Sequence, residues 1–490
     1  MNLNEFGHNF FTRDSFSTWY FPFSFSTVVD CCRFLARKYK EDKSNRKINK
    51  IVDVNSKINL CFLFDRLIPL HFSCHNLITT LSQGHKLPLK PPFSFSCAFL
   101  VLSFHHLRQN METKKLRIEN GHDFSRDLGF QNVLVTGCAG FIGFHVLERL
   151  LCSEEDWMKN IKKVVGMDRL DYSSAAPNEL VHSNDRKRHF QFLKGDITSP
   201  ETVLTVLKEH NIDAILHLAA QTHVDNSFGN SFTFTISNVL GTHVLLEACK
   251  QLHPQVKRFL HVSTDEVYGE NKQVNHEFSE SDALEPTNPY SATKAAAESI
   301  VKAYHRSFGI PVLIARPNNV YGPRQFPEKV IPKFIRQYQA GNNFTIHGNG
   351  NAQRGFLHVS DVVKALTDYI LIKGIAGEVY NIGTSKTVSI IELAHDLLRI
   401  LSGEAKIKQE LFEFVSDRAY NDQRYLISSE KLKTKLGWPG PEISWEEGLE
   451  NTVQWYRKNP NFWENEKEAI VAHPRLGKVN TEFNLLPINE

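Results

Sequence analysis

The segment PYSATKAAAE sets Tyr290 four residues before Lys294, a spacing that puts both side chains on one face of a helix. A phenol with an ordinary pKa of about 10 needs help to act as a base at neutral pH, and an ammonium one turn away favours its phenolate. Alone the pair is weak evidence, because tyrosine and lysine meet at this spacing on many surface helices. Upstream, STDEVYG holds Thr264 beside two adjacent carboxyls, Asp265 and Glu266. Neighbouring carboxyls in unlike surroundings can hold different protonation states, one acting as acid and the other as base. The alternative is a solvated acidic pair at a strand end.

Such side chains need elements that bring them together. From Gln131 the chain reads NVLVTG, then KKVVGMD, FQFLKGD, DAILHLA, RFLHVSTD and PVLIARP, with helical stretches between these strand-like runs. Strands alternating with helices imply right-handed crossovers and a doubly wound parallel sheet of the Rossmann type. Gly137, Gly140 and Gly143 stand at the first strand-to-helix turn, with Phe141 and Ile142 opening the helix. The first glycine permits the tight turn, the second lets a pyrophosphate approach the backbone, and the third allows close packing of helix on strand. The triplet lies in the context a dinucleotide site requires, after a strand and before a helix. Asp168 closes the next strand, 25 residues after Gly143. A carboxylate there binds the ribose hydroxyls and repels a 2′-phosphate, which favours NAD over NADP, although Arg169 stands beside it. Asp196 and Ile197, at the end of FQFLKGD, are candidate adenine contacts, with a strand-end turn as the equal alternative for Asp196.

The first 110 residues have another character. They carry 15 of the 35 Phe but only 2 of the 26 Gly, so they lack the glycine punctuation of a fold. Met111 is the first methionine after Met1. The composition favours initiation at Met111, with untranslated sequence before it; an extra domain or a localisation segment is the other reading. The net charge of +3 and the absence of a basic stripe interleaved with aromatics argue against a nucleic-acid partner. The best apolar run, Phe93 to Phe104, is shorter than the roughly 18 to 20 residues of a spanning helix, so no membrane role is expected. Eight cysteines without a CxxC pair or regular spacing imply no zinc site and no disulfide framework, but reduced thiols in a cytoplasmic protein.

Through TGCAGFIG, HLAAQTHVD, STDEVYG, PYSATK and RPNNVYGP, the chain from about Gln131 to Tyr456 resembles the extended short-chain dehydrogenase/reductase family. Within it the nearest likeness is to the NAD-dependent dehydratases that act on dTDP-glucose in animals and UDP-glucose in plants. The deciding residues are Thr264, Asp265 and Glu266, since the epimerases and decarboxylases of the family lack the adjacent acid pair, and the GDP-mannose dehydratases keep only the Glu. The resemblance implies that Tyr290 takes the proton of the glucose 4-hydroxyl while hydride passes from carbon 4 to NAD, with Thr264 orienting that oxygen and Lys294 supporting the tyrosine. Glu266 then removes the carbon-5 proton, protonated Asp265 donates to the departing 6-hydroxyl, and hydride returns to carbon 6. Such an enzyme is a redox-neutral hydro-lyase that holds its NAD tightly.

The same resemblance implies a Rossmann domain over 131–317, a mainly substrate-binding domain of mixed α/β structure over 318–458, and a tail over 459–490 without an assigned role. It carries over Thr222, Asn319, Arg354, Asn381 and Arg418 as substrate contacts, and adds Lys329. Arginine suits a diphosphate because its planar fork makes two-pronged contacts. Two positions depart from the family pattern: Cys138 stands where a glycine is common, and DRAYND replaces a Pro-Gly-His-type run. Family members dimerise through two helices, here Val239 to Lys250 and Tyr290 to Ser307, so a homodimer is expected. Three functions are weighed: dehydration of dTDP-glucose, the same reaction on UDP-glucose, and a catalytically silent nucleotide-sugar-binding protein.

Overall fold

The computed structural model describes residues 129–474 apart from 182, 184, 185, 273–275, 405–408, 419 and 465. The leader expected over 1–110, with its apolar run, lies outside the described residues. Strand β1 (Asn132–Thr136) shows why the sheet is apolar on both sides. Val133 and Val135 join a core with Phe144, Leu147 and Leu150 of helix α1 (Phe141–Cys152). Leu134 points the other way, into a core with Leu245 of α2 (Gly241–Gln251) and Val301 of α3 (Pro289–Phe308). A strand covered by helices on both faces needs a continuous apolar run rather than an alternating one.

The strands that follow are β2 (Lys163–Asp168), β3 (His189–Lys194), β4 (Ala214–His217), β5 (Arg258–Val262) and β6 (Val312–Pro317). Beyond them lie β7 (Asn319–Tyr321), β8 (Phe344–His347), β9 (Gln353–His358), β10 (Val379–Ile382), β11 (Thr387–Ser389) and β12 (Phe412–Val415). The main sheet runs β10-β6-β5-β4-β1-β2-β3, parallel throughout. Its order reverses between β1 and β4, and a doubly wound sheet binds ligands at the carboxyl ends of the strands at such a switch point. The six runs read from the sequence are β1 to β6. The sheet does not end at residue 317, however: its edge strand, β10, comes from the segment assigned mainly to substrate binding. That segment therefore contributes to both parts of the protein.

The smaller part is mixed. Strands β7, β9 and β11 form one sheet, and β8 pairs with β12. Helices α4 (Val330–Gln339), α5 (Val359–Lys364), α6 (Ile390–Ser402) and α7 (Trp445–Lys458) complete the set used below. A third core joins Phe334 and Ile335 of α4, Leu393 and Leu397 of α6, and Leu449 and Val453 of α7. The tail, expected to have no assigned role, is laid along α4. Arg336 pairs with Glu466 at 2.9 Å, Gln337 donates to the Ile470 carbonyl at 2.7 Å, and Lys333 donates to that of Ala472 at 2.9 Å. Among the described residues no helix is long and apolar enough to cross a membrane, and Cys138 and Cys249 are buried free thiols.

Candidate active site

A cleft of about 430 Å³ opens at the carboxyl ends of β1, β2, β4, β5 and β6 and is closed from the far side by the smaller sheet and α4. At one end, Gly137 holds φ +70°, and a Cβ there would lie 2.5 Å from the Ala219 amide nitrogen. A Cβ on Gly143 would overlap the Gly137 carbonyl oxygen. Both glycines are thus required by backbone approach, and they leave the α1 N-terminus, with Gly140, Phe141 and Ile142, on the cleft wall. Helix N-termini present free N–H groups to an anion.

Asp168 ends β2 on the same wall. One of its carboxylate oxygens accepts from the Ala139 amide at 3.0 Å, and the other from the Leu170 amide at 2.7 Å and the Ser174 hydroxyl at 3.3 Å. Burial pushes this carboxyl up, and those three donors offset the rise. Arg169 is not free to receive a phosphate: it pairs with Asp171 at 2.6 Å and Asp196 at 3.5 Å and donates to Ser237 at 3.2 Å. Asp196 accepts from the Thr198 amide and hydroxyl, both at 2.9 Å, while it and Ile197 line the cleft.

The reactive groups meet midway. Helix α3 starts sharply because Asn288 caps it, in a capping box with Ser291, and Pro289 fits its first turn. That start places Tyr290 and Lys294 on the wall. The Lys294 ammonium donates to the Val262 carbonyl at 2.7 Å, and burial brings its pKa down to about 8. Its expected effect on Tyr290 does not dominate here. Burial first, then the charges of Glu266 and Asp265, push the phenol up, and a hydrogen bond with Thr264 opposes them. The phenol is therefore protonated in the free protein at neutral pH.

Thr264 ends the β5 segment and caps a single helical turn, Asp265–Tyr268, its hydroxyl accepting the Glu266 amide at 3.3 Å. The turn gives the two carboxyls different surroundings. Asp265 is 2% exposed, and its pKa is pushed up to about 7 by burial and by the charge of Glu266. Glu266 is partly exposed on the cleft wall. Burial raises it too, but Lys329, Arg354 and Arg418 and a hydrogen bond from Asn288 pull it back. Both carboxyls stand above the ordinary range, with three cations favouring the ionised form of Glu266.

Across the cleft stand Thr222, Asn319, Lys329, Arg354 and Arg418. Lys329 donates to the Thr222 carbonyl at 2.8 Å, Arg354 to Asn421 at 3.0 Å, and Arg418 lies 3.4 Å from Asp225. Two residues carried over from the sequence are not on the wall. Asn381 is fully buried in β10, its amide committed to the Tyr268 hydroxyl at 2.8 Å and the Phe278 carbonyl at 3.1 Å. It is a structural residue in this arrangement, since no part of its side chain is left for a nucleotide. Asp265 lies behind the wall, held by Thr264 at 3.3 Å and Asn318 at 2.6 Å. Residues missed in the sequence include Asn318, Asn288, Asp225 and Lys333. Asn318 and Asp225 fall within RPNNVYGP and HLAAQTHVD and Asn288 directly precedes PYSATK, whereas nothing local marks Lys333.

A doubly wound sheet with a glycine turn, a Tyr–Lys helix and a threonine-led acid pair at its switch point defines a short-chain dehydrogenase/reductase of the extended kind. Residues 134–452 match the family model described as GDP-mannose 4,6 dehydratase, and the chain belongs to that family. Among its relatives is a trifunctional protein of Arabidopsis thaliana, a UDP-glucose 4,6-dehydratase, 3,5-epimerase and reductase, 48% identical over 71% of this chain and 50% of its own length. The chain thus spans about half the length of the curated relatives it matches first. The dTDP-D-glucose 4,6-dehydratase of Mus musculus is 44% identical over 70% of this chain and 94% of its own. Among solved structures, the dTDP-glucose 4,6-dehydratase of Streptomyces venezuelae, with NAD bound, is 36% identical with a TM-score of 0.63, covering 68% of this chain and 99% of its own.

Proposed function

We propose that the chain is an NAD-dependent hydro-lyase that converts an NDP-glucose, with dTDP-glucose as the first candidate, to the NDP-4-keto-6-deoxy-glucose and water. The observation that carries this reading is the turn at Thr264, which sets a buried Asp265 and a cleft-lining Glu266 beside Tyr290. Oxidation at carbon 4 needs one base, and elimination across carbons 5 and 6 needs a second base and an acid.

The glycine turn and Asp168 fit NAD. Gly137, Gly140 and Gly143 leave room where a Cβ would fill it, and the acidic end of the cleft, with Arg169 already paired, disfavours a 2′-phosphate. When bound, NAD supplies the hydride acceptor at carbon 4 and the donor at carbon 6. Tyr290 takes the 4-hydroxyl proton, with Thr264 orienting that oxygen. Lys294, charged below about pH 8, favours the phenolate that Tyr290 must form, by losing its own proton, before it accepts that of the 4-hydroxyl. Glu266 takes the carbon-5 proton, Asp265 protonates the leaving hydroxyl, and Lys329, Arg354 and Arg418 hold the diphosphate. Asn319 joins these diphosphate contacts, and Thr222 would contact the substrate beside the nicotinamide.

UDP-glucose is the second reading, favoured by the higher identity to the Arabidopsis proteins, 48–49% against 43–44% for the mammalian dTDP-glucose enzymes. A silent binding protein would have no chemical need for four reactive residues on one cleft wall with Asp265 directly behind them. A homodimer is supported by Phe232, Ile236 and Leu240, four residues apart and 56%, 41% and 38% exposed, with Phe308 at 44%. Turnover of the purified chain with both NDP-glucoses, followed by mass and NMR, tests the reading. A 4-keto-6-deoxy product is expected; a 4-epimer that keeps its 6-hydroxyl overturns it.

A further inference from the structure

Asp265 is the least accessible of the reactive groups, and the residue that holds it was not read from the sequence. Asn318 follows β6, is 3% exposed, and directs its side-chain amide at Asp265. Its orientation is fixed twice. The Thr384 amide donates to its Oδ1 at 3.0 Å, so that end must be the oxygen. Gly355 and Gly383 crowd the same oxygen: a Cβ on either would lie 2.9 Å and 3.1 Å from it. The NH2 group therefore faces Asp265 and donates to Oδ2 at 2.6 Å. An oxygen that accepts so short a bond has no room for a proton of its own on that side. The other oxygen, Oδ1, accepts only a longer bond, at 3.3 Å, from the hydroxyl of Thr264, which is on the cleft wall.

We propose that Asn318 is a positioning residue for the leaving-group acid: clamped by Thr384, Gly355 and Gly383, it holds Oδ2 of Asp265 as an acceptor and so places the carboxyl proton on Oδ1, beside Thr264. The inference rests on the dehydratase reading for its kinetic consequences, but the placement of the proton does not depend on it. In the elimination, the proton leaves Oδ1 for the departing 6-hydroxyl, the carbon–oxygen bond breaks to release water, and Asp265 is left as a carboxylate whose Oδ2 keeps the Asn318 bond.

The sign of one consequence is fixed. A donor to a carboxyl oxygen favours the ionised form. Removing it raises the pKa of Asp265, so the alkaline fall of elimination should move to higher pH even as the rate drops.

Two variants of the full chain test this. Asn318→Asp keeps the shape of the clamp, and Asn318→Ala removes the amide. In single turnover with the NDP-glucose that the wild type converts, NADH should appear at the wild-type rate. Water loss should slow by about 10²-fold, as for a misplaced general acid, with KM within about threefold and the alkaline limb at least about one pH unit higher. Wild-type water loss with an unmoved limb overturns the proposal. So does a raised KM alone, which would make Asn318 only a substrate contact, or joint loss of oxidation and elimination with a native melting curve. An infrared difference spectrum of the free wild-type protein against Asp265→Asn, near pH 5, reads the same point without turnover. A protonated Asp265 carbonyl whose frequency rises in Asn318→Ala is expected, since the carbonyl oxygen is then the one Asn318 donates to; a frequency unmoved by that substitution overturns the placement. If the wild type converts neither NDP-glucose, the functional reading fails while the infrared result still decides the clamp.

Discussion

At the level of single residues, function follows from how burial and charge divide two adjacent carboxyls. In the free protein Asp265 is protonated below about pH 7 and loses its proton above that, while Glu266 must be ionised to act. The dependence of kcat/KM on pH should therefore be a bell. Its alkaline limb belongs to Asp265 and falls as pH rises through about 7. Its acid limb belongs to Glu266 and lies above the ordinary carboxylate value of about 4.3, since burial raises that group. A profile flat from pH 6 to 9 would contradict this division. Tyr290→Phe removes the first base but keeps the ring, so substrate should still bind while oxidation slows by about 10² to 10⁴. NADH formation at the wild-type rate would assign the base elsewhere. The sequence made the reactive types legible because they stand in short motifs. It could not tell Asn318 from Asn319 as the partner of Asp265, nor see that Asn381 is spent on Tyr268 and Phe278, because those pairings join residues far apart in the chain.

At the level of elements, the site depends on where β1 and β5 end and where α3 begins. Six strands were legible from their buried apolar runs, but β10 was not: its VYNI is four residues long and carries a polar Asn. Its place at the sheet edge comes from pairing with β6, a contact between distant segments. The helix preceding α2 also begins earlier than Val239, through the π-helical stretch Thr235–Leu240. The turn between β1 and α1 is the least forgiving of these features. Gly143→Ala puts a methyl into the Gly137 carbonyl, backbone against backbone, where no side chain can yield. We expect that variant to lose bound NAD and to melt several degrees lower, as overpacking of about 1–3 kcal/mol implies. Wild-type NAD content and melting temperature would show that the turn adapts.

For the whole molecule, the exposed apolar row of Phe232, Ile236 and Leu240 leads into α2, and Phe308 ends α3. A row this apolar is costly to leave in water. Ile236→Lys should weaken the expected homodimer, and sedimentation should show monomer where the wild type is dimeric. An unchanged dimer would move the interface to another face. The tail contributes as well: by holding Lys333, Arg336 and Gln337 of α4, it steadies one wall of the cleft. Its lack of periodicity hid that role, since most of these bonds reach tail carbonyls, which any residue offers.

On the proposed reading, one cleft oxidises carbon 4 and then eliminates water across carbons 5 and 6, with Glu266 as the carbon-5 base. Single-turnover NMR in heavy water, on the wild type and on Glu266→Gln, tests it most directly. The wild type should place deuterium at carbon 5 of a 4-keto-6-deoxy product. The amide variant, nearly isosteric, should still bind and oxidise the sugar, yet show almost no deuterium at carbon 5 and no water loss. Exchange at carbon 5 at the wild-type rate in Glu266→Gln would contradict the account.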